Sequence, residues 1–198
     1  MIKNVVFDIG NVLVDFRWRA LMEELQLPEE TQKIFEKTVF GSPWWGELDH
    51  GIYEEAEILK HFREDNQDHL DAFNRVWDNR DKLVEPYAYA VQWIERLKQG
   101  GLKVYLLSKY PREIFELHTE CGCFPFLEQV DGKVVSGFVK MVKPNADIYE
   151  HLLGEYGLCA EECVFIDDRE ENVEAARALG MKGIVFASYE QACEALEK

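Results

Sequence analysis

The sequence has few basic residues for its length. Its 198 residues include 22 Lys and Arg against 38 Asp and Glu, which gives a formal net charge of −16. Nucleic acids and anionic membranes are bound mainly through basic side chains that neutralise phosphates, so this balance argues against both as partners. A small phosphorylated substrate would also be repelled at long range. It would need a local positive centre, either a metal ion or lysines held in a cleft.

Long apolar runs and paired cysteines are also missing. No apolar stretch approaches the ~18 residues that a membrane helix needs, and the N-terminus lacks the pattern of a secretory signal peptide. The five cysteines are odd in number and lack the paired spacing of a zinc site. We therefore predict reduced thiols, no membrane partner and a cytoplasmic location.

Short apolar segments of strand length recur along the chain, each followed by polar residues. They are residues 5–7, 104–107, 164–166 and 183–186. Continuous apolar strands are typical of a parallel sheet covered by helices on both faces. Helical periodicity falls between them, at about 86–99, 111–120, 145–155, 170–179 and 188–197. The pattern predicts an α/β fold with a doubly wound, Rossmann-like parallel sheet.

Residues 16–83 differ from the rest of the chain. They contain amphipathic stretches, such as 28–39 and 53–62, with no convincing strand between them. We interpret this block as an α-helical cap inserted after the first strand. The predicted domains are a hydrolase core formed by residues 1–15 and 84–198, and a helical cap formed by residues 16–83.

Polar residues directly follow three of the predicted strands. Asp8, Ser108 and Asp167 each stand at the carboxyl end of a strand. Because open parallel sheets bind their ligands beyond the carboxyl ends of the strands, these three distant residues are expected to meet in one crevice. The sequence therefore predicts a functional site at this edge of the sheet.

Acidic residues at two of these positions indicate a divalent cation. A carboxylate at Asp8 can attack phosphorus only if a cation screens the two negative groups from each other. Asp167 and Asp168 are adjacent acids, which repel in a cleft unless a divalent cation neutralises them. Mg²⁺ prefers oxygen ligands and commonly takes one or two carboxylates plus a substrate phosphate. Each acid alone could be a turn former or a helix cap, so the prediction depends on the set.

The acids provide no hydrogen-bond donor and no positive charge for a phosphate; these come from Ser108, Lys109 and Lys143. A hydroxyl donor and ammonium groups can hold phosphate oxygens and stabilise transition-state charge. Taken singly, Ser108 could merely cap the following helix and Lys143 could be a surface lysine before Pro144. The ordered set of strand-end and loop positions is harder to explain without a common ligand.

These residues carry a resemblance to a known family. The segments are Asp8 with residues 10–13, then Ser108, then Lys143-Pro144, then Asp167-Asp168 with Asn172. In order and spacing they resemble the four motifs of the haloacid dehalogenase-like hydrolase superfamily, and block 16–83 matches members with a helical cap. The first motif, Asp-x-Gly-Asn-Val, is similar to that of sugar-phosphate phosphatases.

The resemblance implies a magnesium-dependent phosphatase acting on a small phosphorylated metabolite, and the first motif implies that this metabolite is a sugar phosphate. It implies that Asp8 is the nucleophile and forms an aspartyl-phosphate. The implied ligands of Mg²⁺ are Asp8, the backbone carbonyl of Gly10, and Asp167 with Asp168 in support. The implied phosphate-binding residues are Ser108, Lys109 and Lys143.

One position departs from the family pattern. Most phosphatases of the family have a second aspartate two residues after the nucleophile, which serves as acid and then base, and here that position is Gly10. General acid–base help contributes roughly 10²–10⁴-fold in rate. Four residues could replace the missing acid: Asp15, Asp49, His50 and Asp168. The sequence does not choose among them.

Two other functions follow from the same departure. A carbon–halogen hydrolase needs no proton donor for a departing halide, but it has no use for the paired acids of a magnesium site. A phosphometabolite-binding protein could have kept the site and lost turnover together with its acid. The sequence leaves both readings open and does not define the oligomeric state.

Overall fold

The computed structural model describes residues 1–196 of the chain. The strands are β1 (Asn4–Phe7), β2 (Val14–Phe16), β3 (Val84–Pro86), β4 (Lys103–Ser108), β5 (Gly132–Val135), β6 (Cys163–Asp167) and β7 (Lys182–Val185). The α-helices are α1 (Trp18–Glu24), α2 (Glu29–Phe35), α3 (Pro43–His50), α4 (Glu55–Asp65), α5 (Leu70–Asp78), α6 (Ala90–Gln99), α7 (Arg112–Glu120), α8 (Ser136–Val139), α9 (Ala146–Tyr156), α10 (Glu170–Ala178) and α11 (Tyr189–Leu196). A π-helical turn, Glu36–Phe40, continues α2.

The central sheet consists of five parallel strands in the order β5-β4-β1-β6-β7. Side chains alternate between its faces, so Val5 and Phe7 enter one buried cluster and Val6 enters the other. All three are fully buried because helices cover both faces of the sheet. The predicted doubly wound α/β fold is confirmed.

The four strands predicted from apolar runs are all present in the sheet. Each observed strand agrees with its predicted bounds to within one residue at either end. The edge strand β5 was missed because its four residues, Gly132–Val135, offer only two buried apolar side chains. The helix predicted to begin at residue 86 begins at Ala90, since β3 and a turn precede it. Residue 197, the predicted end of the last helix, lies outside the described residues.

A helical insert, residues 17–83, lies between β2 and β3. These two strands pair antiparallel, with Val14 opposite Pro86 and Phe16 opposite Val84, so the chain leaves and re-enters the core at adjacent positions. Helices α1 to α5 lie within the insert, as the amphipathic pattern predicts. Their apolar faces join the same buried cluster as Val5 and Phe7 of the sheet. The division into a core and a cap domain, with limits at 15/16 and 83/84, stays a prediction.

Candidate functional site

Three central strands end at the same place and bring their terminal residues together. The residues predicted to converge, Asp8, Ser108 and Asp167, follow or end the adjacent strands β1, β4 and β6. The backbone N–H of Asp8 donates to the carbonyl of Ile166 at 2.9 Å, which extends the ladder past the end of β1. All three side chains are buried at this edge of the sheet.

Lys143 lies between two of the acidic side chains. Its Nζ is 2.9 Å from Asp8 Oδ1 and 2.6 Å from Asp167 Oδ2, and only 1% of its side chain is exposed. Burial lowers the pKa of this ammonium, but the two carboxylates outweigh burial, so the pKa of Lys143 is raised. The site therefore holds a permanent internal cation within a strongly acidic protein.

The acidic residues form a compact cluster. One oxygen each of Asp8, Asp167 and Asp168 lies within 4.8 Å of the others. The pKa of Asp8 is raised to about 7, because burial and the two neighbouring carboxylates together outweigh the opposing effect of Lys143. Burial also raises the pKa of Asp168. Asp8 Oδ1 is buried against the Lys143 ammonium, 2.9 Å away. Such a set of oxygen atoms fits Mg²⁺.

Asp167 and Asp168 have different surroundings. Asp167 accepts hydrogen bonds from Asn172 Nδ2 on both oxygens, at 2.9 and 3.0 Å, and from the backbone N–H of Arg169 at 2.9 Å. Together with the Lys143 contact, these bonds occupy the carboxylate of Asp167. Asp168 is half-buried and accepts a 3.0 Å bond from Asn11 Nδ2. Its carboxylate is therefore more open to a cation than that of Asp167.

Asn11 contacts the acid cluster, and the sequence reasoning did not predict this contact. It has a left-handed backbone with φ of 56°, a conformation that Asn tolerates better than most residues. This turn directs its amide across the site to Asp168. The preference of Asn for such a turn was the available signal, but the long-range partner is visible only in the structure.

Ser108 and Lys109 occupy different depths of the site. Ser108 Oγ is buried and, among the described residues, lacks a hydrogen-bond partner. An orphaned buried hydroxyl needs an explanation, and a ligand oxygen supplies one. Lys109 is part-exposed, with its Nζ 3.6 Å from Asp49 Oδ2. Of the sequence-predicted site residues, five line one cavity, namely Asp8, Gly10, Lys109, Lys143 and Asp168. Ser108 and Asp167 are buried at the ends of their strands and are not among the lining residues.

The site opens into a cavity of about 610 Å³, within the usual size range of small-molecule sites. Its polar end contains Asp8, Lys109, Lys143 and Asp168. Its apolar wall is formed by Phe16, Phe40, Trp45, Leu83, Val84 and Ile114. Trp45 packs against Phe40 with 5.1 Å between ring centroids, whereas the adjacent Trp44 stacks on His61 at 3.6 Å. Only one of the two tryptophans therefore lines the cavity.

A buried hydrogen-bond chain ties this cavity to the end of the helical insert. His118 Nδ1 lies 2.5 Å from the Tyr110 hydroxyl, and its Nε2 lies 2.7 Å from the Arg80 carbonyl. A neutral ring that donates from Nε2 to Arg80 and accepts at Nδ1 satisfies both contacts. Burial lowers the pKa of His118, which keeps the ring neutral.

The buried His118 ring makes the unfolding free energy of the protein sensitive to mild acid. Because the pKa of His118 is lowered on folding from its unfolded value of about 6.5, the unfolded chain binds the proton first as pH falls. His118 therefore lowers the unfolding free energy below about pH 6.5, by at most ~1.4 kcal/mol per pH unit. We expect urea unfolding of His118→Gln to lose less stability than the wild type between pH 7 and 5.5.

The comparison must be made between variants because Asp8 and Asp49 titrate in the same window with the opposite sign. His151→Gln, a part-exposed site on α9, is the matched control and should follow the wild type. Identical pH dependence for His118→Gln and the wild type would contradict this account of the buried ring.

Among residues 1–196, none of the helices combines the length and the apolar character that a membrane crossing requires.

Comparison with known proteins places these features in one family. The haloacid dehalogenase-like hydrolases match residues 2–180 of the chain. A sesquiterpene phosphatase from Aspergillus oryzae is 28% identical over 188 residues, covering 92% of this chain and 88% of that protein.

Two solved structures share the fold. A haloacid dehalogenase-like family hydrolase from Porphyromonas gingivalis has a TM-score of 0.75 at 22% identity, covering 100% of this chain and 97% of its own. A family enzyme from Bacteroides thetaiotaomicron, solved in complex with magnesium and inorganic phosphate, has a TM-score of 0.72 at 23% identity and 96% coverage of both chains. Since the family match spans most of the sequence and the fold agrees, this chain belongs to the haloacid dehalogenase-like hydrolases.

Proposed function

We propose that this hydrolase is a magnesium-dependent phosphomonoesterase in which Asp8 attacks phosphorus. One observation carries the proposal: Asp8 lies 2.9 Å from the ammonium of Lys143, and one of its oxygens is within 4.8 Å of an oxygen of Asp167 and of Asp168. The ammonium, together with a cation held by the acids, would screen the Asp8 carboxylate from an incoming phosphate and so allow one of its oxygens to attack phosphorus. The sesquiterpene phosphatase among the relatives supports phosphate-ester chemistry.

Bound Mg²⁺ would neutralise part of the charge between the acids and the incoming phosphate. Asp8, Asp168 and the carbonyl of Gly10 would hold it. Asp167 would act mainly by fixing Lys143, because Lys143, Asn172 and Arg169 already occupy its oxygens. The magnesium and phosphate complex of the Bacteroides enzyme supports this choice of ion.

The remaining residues would bind and stabilise the phosphoryl group. Ser108 Oγ would donate its free hydroxyl hydrogen to a phosphoryl oxygen, and Lys143 and Lys109 would stabilise the negative charge. A bond then forms between an Asp8 oxygen and phosphorus while the bond from phosphorus to the ester oxygen breaks. The alcohol leaves with a proton, and water subsequently displaces the phosphoryl group from Asp8 as inorganic phosphate.

The cavity favours two classes of alcohol. A sugar phosphate, the expectation from the first motif, could place an apolar sugar face on Trp45. The wall formed with Phe16 and Phe40 equally suits a phosphate ester of an apolar alcohol, since aromatic side chains offer large apolar surfaces. The name of the Aspergillus relative supports this second class.

The acid cluster argues against a carbon–halogen hydrolase, and an experiment distinguishes the proposal from a phosphometabolite-binding protein. A carbon–halogen hydrolase would gain nothing from three carboxylates within 4.8 Å, which would repel an anionic haloacid. Halide release from 2-haloacids without metal would favour that alternative. Tight binding of a phosphate ester, with no product formed over hours, would favour a binding protein.

The test joins activity to metal binding. With Mg²⁺, we expect phosphate release from nitrophenyl phosphate and from members of a panel of hexose phosphates and prenyl monophosphates, falling to background with chelator. Mg²⁺ at 100 times its Kd should stabilise the fold by about 2.7 kcal/mol, which raises the Tm by about 5–10 °C for a domain of this size. Asp168→Asn should lose most of this shift. Activity that persists in chelator would refute the proposal.

A further inference from the structure

The space beside the proposed nucleophile is open. At Gly10, where the family's acid would stand, an added Cβ would have no atom within 4 Å. The backbone there does not have the positive φ that would bar a side chain. Nothing in the local structure therefore prevents an acid at this position, and the space left free can be served by a side chain from another element.

Asp49, on helix α3 of the insert, reaches the same cavity. Its side chain is almost completely buried, with 7% of the residue exposed, although aspartate is among the residues least often buried. It lines the cavity together with Asp8 and lies 3.6 Å from Lys109 Nζ. A buried carboxyl from the helical insert therefore lines the same cavity as Asp8.

Contacts from the core hold the end of α3 in place. Ser136 Oγ donates to the Asp49 carbonyl at 2.5 Å, and His50 Nε2 lies 3.2 Å from the Lys140 carbonyl. Gly51 follows with φ of 70°, and a Cβ there would come within 2.5 Å of the Gly137 carbonyl oxygen. The backbone of α3 and that of α8 are thus in close contact, so the position of Asp49 is fixed relative to the core.

The other candidate acids are placed less suitably. Asp15 is exposed on β2, opposite Glu85 of β3. His50 directs its ring to the Lys140 carbonyl. Asp168 belongs to the acid cluster and is held there by Asn11.

We infer that Asp49 is the general acid and base of this enzyme, in place of the aspartate that Gly10 lacks; the inference rests on the proposed phosphatase function. In the first step, the carboxylic acid of Asp49 gives its proton to the ester oxygen as the bond from phosphorus to that oxygen breaks. In the second step, the Asp49 carboxylate takes a proton from the attacking water while the bond from phosphorus to Asp8 breaks. The proton balance closes, and Asp49 ends each turnover protonated.

The electrostatics of the cavity support this placement. The pKa of Asp49 is raised to about 7, because burial outweighs the lowering effect of Lys109; Asp8 also raises it and Lys143 lowers it. An acid–base group works best when its pKa lies near the working pH, because both protonation states are then accessible. A carboxyl with an ordinary pKa would already be ionised and could not donate.

The test uses two leaving groups. Nitrophenolate leaves without a proton, whereas an alkyl alcohol needs one. For Asp49→Asn we expect kcat/KM for an alkyl phosphate to fall by about 10²–10⁴-fold, with kcat/KM for nitrophenyl phosphate within about tenfold of the wild type. Because water activation is slowed for both substrates, nitrophenyl phosphate should also show a burst of one equivalent of nitrophenol followed by a slow phase.

Two further variants test whether the effect is specific to Asp49 and whether an acid at Gly10 can replace it. Asp15→Asn should leave the ratio of the two kcat/KM values unchanged. Gly10→Asp, added to Asp49→Asn, should restore a large part of alkyl phosphate hydrolysis, because the open position accepts an acid beside Asp8. Thermal melts of each variant show whether it is folded.

The outcomes distinguish this inference from the proposed function. A wild type that hydrolyses neither ester with Mg²⁺ overturns the phosphatase function itself. A wild type active on both esters, with Asp49→Asn lowering both kcat/KM values equally, overturns the acid role and assigns Asp49 to holding Lys109 in place.

Discussion

Replacing Asp8 by Asn is expected to lower kcat by at least about 10⁴-fold, as found when a catalytic triad loses its nucleophile or base. The amide keeps the shape of the side chain but has no anionic oxygen to attack phosphorus. The surrounding contacts should survive, because Lys143 still pairs with Asp167 at 2.6 Å. Steady-state phosphate release measures the fall in kcat. Single-turnover transfer of labelled phosphate to the protein measures whether the phosphoryl-enzyme still forms.

The labelling experiment identifies the attacking atom. Wild-type protein mixed with labelled substrate and quenched rapidly should carry up to one phosphate per chain, and Asp8→Asn should carry none. Asp15→Asn, which changes an exposed acid near the same loop, is the control and should label normally. Labelled Asp8→Asn protein, or activity within tenfold of the wild type, would show that another group attacks phosphorus.

Lys143→Met is expected to impair both stability and activity. The substitution leaves the buried carboxylates of Asp8 and Asp167 without their shared cation, and breaking a buried ion pair from one side costs about 3–5 kcal/mol. Methionine keeps an unbranched side chain of similar length, so the loss reports mainly on charge. Urea unfolding without metal should show a decrease in unfolding free energy of this size.

Added Mg²⁺ should recover part of that stability, because it supplies positive charge to the same acids. Activity should stay low even in Mg²⁺, since the phosphoryl group loses a direct cationic partner. Lys133→Met, at an exposed position of β5, is the matched control and should change stability by less than about 0.5 kcal/mol. A loss below about 1 kcal/mol for Lys143→Met would show that the network contributes little to folding.

The central strands and their terminal residues could be predicted from sequence because buried parallel strands leave unbroken apolar runs. Asp8, Ser108 and Asp167 therefore emerged as a group before any contact was known. Strand β5 could not be found in this way, since an edge strand needs fewer apolar residues. The short ladder of β2 and β3 was hidden because three residues in each strand carry no periodicity.

The contacts that distinguish similar residues could not be predicted. The adjacent aspartates look alike in the sequence, yet their contacts differ. The Asp167 carboxylate is bound by Asn172 and Lys143, whereas the Asp168 carboxylate accepts one bond from Asn11 and is more accessible to a cation. Trp44 and Trp45 differ in the same way, because α3 turns one towards His61 and the other towards the cavity. Such differences depend on elements distant in sequence, which no local pattern records.

The paired strands β2 and β3 hold the two ends of the helical insert side by side. Because Val14 lies opposite Pro86, both ends of the insert are anchored side by side, and its length can change without displacing the strands that carry Asp8 or Ser108. With Asp49 as the proton donor, the residues that bind and attack the phosphoryl group lie at the ends of the sheet strands. The residue that protonates the leaving group lies in the insert. Another insert joined to the same two strands would therefore have to supply its own proton donor and its own contacts to Ser136 and Gly137.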